Sequence, residues 1–295
     1  MRLNRNIRGG ALALALAGGA GLAIVVSPGR LPAQALADTA MAFTADLGEA
    51  LPIDPAVTVG QLDNGLRYYI RANERPEKRA ELRLVVNAGS VLEDGDQLGL
   101  AHFLEHMAFN GTEHFEKQEL IDYLQFIGMR FGADVNAYTG FDETVYMLTV
   151  PTDSTEIVET AFQILEDWAH GLAFDSLEVE KERGVVLEEW RLGQGAYSRI
   201  RDQQFPVLFQ GSLYAERLPI GDPEVLETFD HATLKRFYAD WYRPDLMAVV
   251  AVGDFDPEWI RGLIHRHFGD LEGPEVERPR PAVAVPGHEA TLFSI

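Results

Sequence analysis

The 295-residue sequence contains no cysteine. That absence excludes a thiolate zinc site, a cysteine nucleophile and a disulfide framework. It also excludes lipoprotein anchoring, which needs a cysteine at the cleavage point. Any metal must be held by histidine and carboxylate. Positive charge is scarce: 25 Lys and Arg face 46 Asp and Glu, a formal net charge of −21. Nucleic-acid phosphates would be repelled by such a surface, so no nucleic-acid partner is expected. Beyond the first few dozen residues no apolar run is long enough to span a membrane, and no short-period repeat is present. The length allows one large domain or two small ones.

Arg2, Arg5 and Arg8 precede an apolar stretch over 9–26, followed by Ser27-Pro28-Gly29 and Ala33-Gln34-Ala35-Leu36-Ala37. A basic start, an apolar centre and small-residue cleavage sites describe a secretory signal over 1–37, cut after Ala37 or Ala35. An uncleaved N-terminal anchor is the alternative. The mature chain is expected in a bacterial periplasm, with no stable membrane anchor. Residues 38–52 read as a leader and 53–272 as the folded domain. Pro274, Pro279, Pro281 and Pro286 mark 273–295 as a Pro-rich linker and the start of a following segment. The chain is expected to continue in a longer product.

Alternation and turn signals predict strands over 66–70, 81–86, 134–138, 144–150 and 247–252. Helical spacing predicts helices over 98–109, 117–127, 156–169, 175–192, 231–241 and 257–268. In the fourth of these, Val185, Val186 and Leu187 are expected to pack into a core. Strands and helices alternate without a regular βαβ rhythm. The expected fold class is α+β, a mainly antiparallel sheet with helices packed on one face.

The sequence His102-Phe103-Leu104-Glu105-His106 puts two histidines four apart on a helix, so both can reach one ion. Glu105 sits where it can hold a water. This H-x-x-E-H order is that of the inverted zinc peptidases. By chance it would occur about once in fifty such sequences, and the plain alternative is a solvated helix face. A catalytic zinc takes three protein ligands and one open position. The helix over 180–190 offers Glu182, Glu188 and Glu189. Glu182 and Glu189 are two helical turns apart and face the same way, like a ligand and its supporting carboxylate; the alternative is a solvated acidic face. The remaining histidines carry less. His114 falls in a loop, His170 at a helix end and His231 at a helix start, while His265 and His267 read as surface residues.

Residues 99–112, Gly-Leu-Ala-His-Phe-Leu-Glu-His-Met-Ala-Phe-Asn-Gly-Thr, resemble the active-site helix of the pitrilysin, or M16, zinc metallopeptidases. Residues 182–189 resemble the third-ligand helix of that family, and 136–139 with 142–146 its substrate-side strand region. Trp241-Tyr242-Arg243-Pro244 and Val252-Gly253-Asp254-Phe255 match its later pattern. The likeness runs over about 57–270 and is similar to the N-terminal half of bacterial periplasmic, PqqL-like members. It implies the pitrilysin/LuxS-like metallohydrolase fold and an N-terminal catalytic domain. It implies one Zn²⁺ held by His102, His106 and Glu189, with catalytic roles for Glu105, as general base, and Glu182, in support. The family's usual count from the second histidine lands on Glu182 rather than Glu189, which a small insertion between 128 and 175 would explain. Asn136, Ala137 and Tyr138 are implied to bind a peptide substrate as an added strand. The activity expected is zinc-dependent endopeptidase action on exported peptides or small proteins, with a C-terminal half or partner M16 subunit closing around the substrate. The alternative is a non-catalytic binding or assembly subunit.

Overall fold

The computed structural model describes residues 52–291 and 293. The expected signal segment and nearly all of the leader lie outside the described residues. Six strands form one sheet: β1 (Thr58–Gln61), β2 (Arg67–Ala72), β3 (Arg79–Val86), β4 (Val135–Thr139), β5 (Thr144–Pro151) and β6 (Met247–Gly253). Their order across the sheet is β1-β2-β6-β3-β5-β4. Only the β2–β6 pair is parallel, so the sheet is mainly antiparallel, in an α+β fold.

Period-two alternation decides which face is covered. On β3, Ala80, Leu82, Leu84 and Val86 are buried, whereas Glu81 and Arg83 lie on the opposite face and pair with each other at 3.0 Å. Leu84 stands between Tyr146 of β5 and Val249 of β6, both buried. Eight helices are described: α1 (Leu100–Met107), α2 (Lys117–Phe126), α3 (Thr155–His170), α4 (Ser176–Leu192), α5 (Ala196–Leu208), α6 (Pro223–Thr228), α7 (His231–Trp241) and α8 (Pro257–Phe268). Of these, α3 packs on β5 and β3, α8 on β2, and α1 on β4 and β5. None of the described helices is long and apolar enough to cross a membrane.

The starts of several helices follow from local chemistry. Asp175, Asp222, Asp230 and Asp256 each accept hydrogen bonds from the first-turn N–H groups of α4, α6, α7 and α8, which would otherwise lack partners. On α3, Ala161, Ile164, Leu165 and Trp168 are buried, at helical spacing, while Ile157 is only partly so. The indole N–H of Trp168 donates to Ala108 O at 2.8 Å, tying α3 to the end of α1.

Three readings of the sequence are revised. Of Val185, Val186 and Leu187, Val186 alone is fully buried and Val185 is exposed, because successive helical residues turn through about 100° and cannot share one face. His267 is not a surface residue: its side chain is 11% exposed and its Nδ1 meets Glu166 at 2.7 Å. The Pro-rich residues 273–291, read as a linker, form no helix or strand, yet they lie against the domain. Arg278 pairs with Asp94 at 2.6 Å and covers the Trp241 ring, and Arg280 donates to Asn87 O at 2.8 Å.

Candidate metal centre

The motif helix is held at its start by two features that its own sequence does not contain. Gly99, the residue before α1, has φ 97°, and it stands against Gly221, with φ 80°. A Cβ on Gly221 would lie 2.3 Å from the Gly99 Cα, so both positions need glycine for close approach as well as for backbone conformation. Gly99 offers no side-chain cap. Glu93 supplies it instead, accepting from Gly99 N at 3.0 Å and Ala101 N at 2.8 Å. Burial raises the Glu93 carboxyl to about 8, against the opposing pull of those backbone hydrogen bonds.

From α1 the two imidazoles project to the same side and meet edge to face, with Nε2 atoms 3.2 Å apart. Helix α4 packs against α1 and brings Glu189, whose carboxylate lies 3.5 Å from His106 Nε2 and 3.7 Å from His102 Nε2. Zinc–ligand bonds near 2.0–2.1 Å in a tetrahedron put neighbouring ligand atoms about 3.3 Å apart. The three side chains therefore fit a zinc-sized ion. Among the described residues this is the group whose donor atoms converge within 4.8 Å.

Glu182, one α-helical face from Glu189, does not join that cluster. Its Oε1 accepts from His106 Nδ1 at 2.8 Å, and its Oε2 accepts from Asn110 Nδ2, also at 2.8 Å. An ionised carboxylate can only accept, so the hydrogen sits on Nδ1 and the lone pair on Nε2. Glu182 thus contacts His106 from behind its ring rather than joining the three converging donors. Burial works to raise its pKa, but the bonds from His106 and Asn110 hold it below the ordinary value. For His106 burial opposes the charge, and the bond to Glu182 with the surrounding carboxylates raises the pKa nonetheless. His102 is different. Burial, with the neighbouring His106, brings it down to about 4. Its imidazole is neutral near pH 7, the form a ligand requires, and its Nδ1 is buried without a hydrogen-bond partner. Glu188, turned away, pairs with Arg191.

Glu105, half-buried, stands near enough to His106 and Glu189 to feel their charges. Burial raises its pKa, partly offset by a bond of 2.6 Å donated by Thr139 Oγ1 to its Oε2. Neither Thr139 nor Glu93 was assigned a role from the sequence. The alternation of β4 could have found Thr139, which shares a face with Ala137; no local signal marks Glu93.

Strand β4 is the sheet edge nearest α1. Thr149 N donates to Asp134 O and Gly140 N to Glu143 O. Hydrogen-bonded positions alternate along an antiparallel pair, so the backbone groups of Ala137 and Thr139 point away from β5. Two hollows flank the imidazoles along this edge. One, of about 450 Å³, is lined by Glu105, Asn136, Ala137 and Val185; the other, of about 400 Å³, by His102, Thr139, Phe141 and Glu189. The side chain of Tyr138 lines neither. Like Asn136 it falls on the face of the strand opposite Ala137 and Thr139, and its hydroxyl donates to Glu143 at 2.8 Å; Asn136 still borders the first hollow with Ala137, whereas Tyr138 borders neither.

Comparison with known proteins gives this arrangement a context. Residues 68–204, which hold every residue of the cluster, match the family model described as insulinase (peptidase family M16). Residues 228–293 match the model of the peptidase M16 inactive domain. The chain belongs to peptidase family M16. Among M16 relatives, it is 44% identical over 80% of its length to a zinc protease PQQL-like protein of Arabidopsis thaliana, covering 25% of that protein. It is 40% identical over 76% of its length to the probable zinc protease PqqL of Escherichia coli, covering 24% of it. The chain thus spans about a quarter of the length of these relatives. The crystal structure of the first half of the periplasmic protease PqqL from Escherichia coli superposes with a TM-score of 0.75 at 38% identity, over 81% of this chain and 50% of that one.

Proposed function

We propose that this chain carries the zinc-binding and proton-transfer part of a metallo-endopeptidase that cleaves exported peptides or small proteins in the periplasm. The observation that carries this reading is the convergence of His102, His106 and Glu189 on one point with Glu105 beside it. His102, His106 and Glu189 would hold one Zn²⁺. When bound, the ion would polarise a peptide carbonyl and acidify water. The residues of the chain do the rest. Neutral His102 offers a lone pair, and Glu182 fixes the His106 ring so that Nε2 faces inward. Glu105, steadied by Thr139, takes a proton from water and passes it to the leaving amine. The substrate lies extended along β4, where the outward backbone groups of Ala137 and Thr139 pair with it and Asn136 borders the path. A C-terminal half or a partner M16 subunit completes the enclosure, which suits a chain that spans a quarter of its relatives.

The test is zinc content and peptide hydrolysis measured together on the full chain and two variants. Glu105→Gln is expected to keep about one zinc per chain while turnover falls by about 10²–10⁴. Glu189→Ala is expected to lose both. Near-normal hydrolysis in Glu105→Gln would sink the assignment. The match of residues 228–293 to an inactive M16 domain favours a second reading, a binding or assembly subunit. A zinc-loaded wild-type chain that hydrolyses no peptide would support that reading instead.

A further inference from the structure

Each of the two hollows beside the histidines has one basic side chain in its lining. On the Asn136 side, Lys117 is fixed by the half-buried Glu178 at 2.7 Å. On the His102 side the wall is apolar at Phe141 and Phe205, and the fixed cation is Arg201, whose side chain is 29% exposed. Arg201 donates from Nη2 to Ser198 Oγ at 3.1 Å and meets Asp202 Oδ1 at 3.1–3.2 Å through Nη2 and Nε. Asp202 is its immediate neighbour, and adjacent residues on a helix do not face each other. Ion pairs between groups this exposed are weak. Nη1 takes no part in either contact. The guanidinium therefore keeps donor capacity for a further acceptor.

The surroundings make such a cation informative. The chain carries a net charge of −21, and Glu105 and Glu189 stand close by, so an acidic peptide approaching this face would be repelled unless something met its charge. Apolar neighbours lower the local dielectric and strengthen any ion pair formed against them. A guanidinium presents two parallel N–H groups in the geometry that a carboxylate accepts. We propose that Arg201 is a specificity-determining residue and that this hollow takes a carboxylate-bearing part of the substrate, either an acidic side chain or a free C-terminus. The assignment rests on the peptidase reading and names the chemistry its substrate carries next to the scissile bond.

The experiment uses the full chain with Glu105→Gln, loaded with Zn²⁺, and calorimetry with an N-acetylated, otherwise uncharged octapeptide. A single glutamate is scanned through its positions, and each peptide is made as the free acid and as the amide. Arg201→Gln is expected to weaken the carboxylate-bearing forms about tenfold and the uncharged amide less than about twofold. Arg201→Glu should reverse the preference toward peptides with lysine at the same position. Loss confined to one glutamate position assigns the side chain as the source, and loss that follows the free acid assigns the terminus. Equal binding of charged and uncharged peptides, or an equal loss across all of them, overturns the role of Arg201 and leaves the peptidase reading standing. Failure of every peptide to bind, with or without Zn²⁺, overturns both.

Discussion

His102 and His106 turn their Nε2 atoms toward each other at 3.2 Å, and Glu189 reaches both. His114 and His267 are arranged otherwise. Each closes at 2.7 Å on a carboxylate of its own, Asp167 and Glu166, which are neighbours on α3. Asp167 is buried and saturated, accepting also from Thr112 Oγ1 at 2.6 Å, His114 N at 3.2 Å and Gln163 Nε2 at 3.1 Å. Both regions hold two histidines and two carboxylates. In one, a carboxylate occupies Nδ1 of His106 and leaves Nε2 directed at a shared point. In the other, the pairs are complete in themselves and serve to join α3, α8 and the loop after α1. Composition is therefore a poor guide to a metal site; the direction of the unused ring nitrogens is what separates the two.

The sharpest way to break this comparison is to remove one histidine from each region. His106→Ala should lose the bound zinc entirely, from about one per chain, whereas His114→Ala should keep it; equal zinc contents would erase the distinction. Next in size is the loss of the carboxylate behind a ring. Glu182→Gln should weaken zinc binding by about 10–100-fold, while Glu166→Gln leaves the affinity unchanged, both read by competition with a chelator of known affinity. Asp167→Asn acts in the opposite sense. It should leave zinc binding alone and cost about 1–3 kcal/mol of stability, because buried donors lose their acceptor, and denaturant unfolding would show it.

The remaining effect concerns pH and is spread over several units. Glu93 caps α1 from a buried position, and burial raises its carboxyl from the ordinary 4.5 to about 8. The folded protein then binds a proton there that the unfolded chain has released. That contribution is fully present below about pH 4.5 and is lost as pH rises through 8. Stability should fall across this window by up to about 1.4 kcal/mol per pH unit. Glu93→Gln should flatten that slope in unfolding curves measured from pH 5 to 8; an unchanged slope would show that Glu93 is ionised throughout.

Much of the fold was legible because its signals are local. Helices α7 and α8 run over the same residues as their apolar spacing predicts, and α2, α3 and α4 differ from expectation by a residue or so at an end. Strand β1 and helices α5 and α6 were not anticipated. Helix α5 buries only Ser198 and carries Pro206 near its end, so it lacks the apolar stripe by which a helix is recognised in sequence. Helix α6 did carry a signal, Asp222-Pro223, a capping residue followed by proline at the first helical position.

At the candidate site, sequence alone determined which donors are on offer: no thiolate, two histidines one helical turn apart, and a glutamate beside the second. Those are properties of one helix and survive in any tertiary setting, since spacing on a helix dictates which side chains share a face. Only the tertiary structure decided what each remaining carboxylate does. The crossing of α4 over α1 sends Glu189 to the Nε2 atoms and Glu182 to the far nitrogen of His106. The sheet order leaves β4 at an edge and brings Thr139 onto Glu105. Such contacts join residues 34 to 87 positions apart. Their geometry depends on how whole elements pack, which no local pattern encodes.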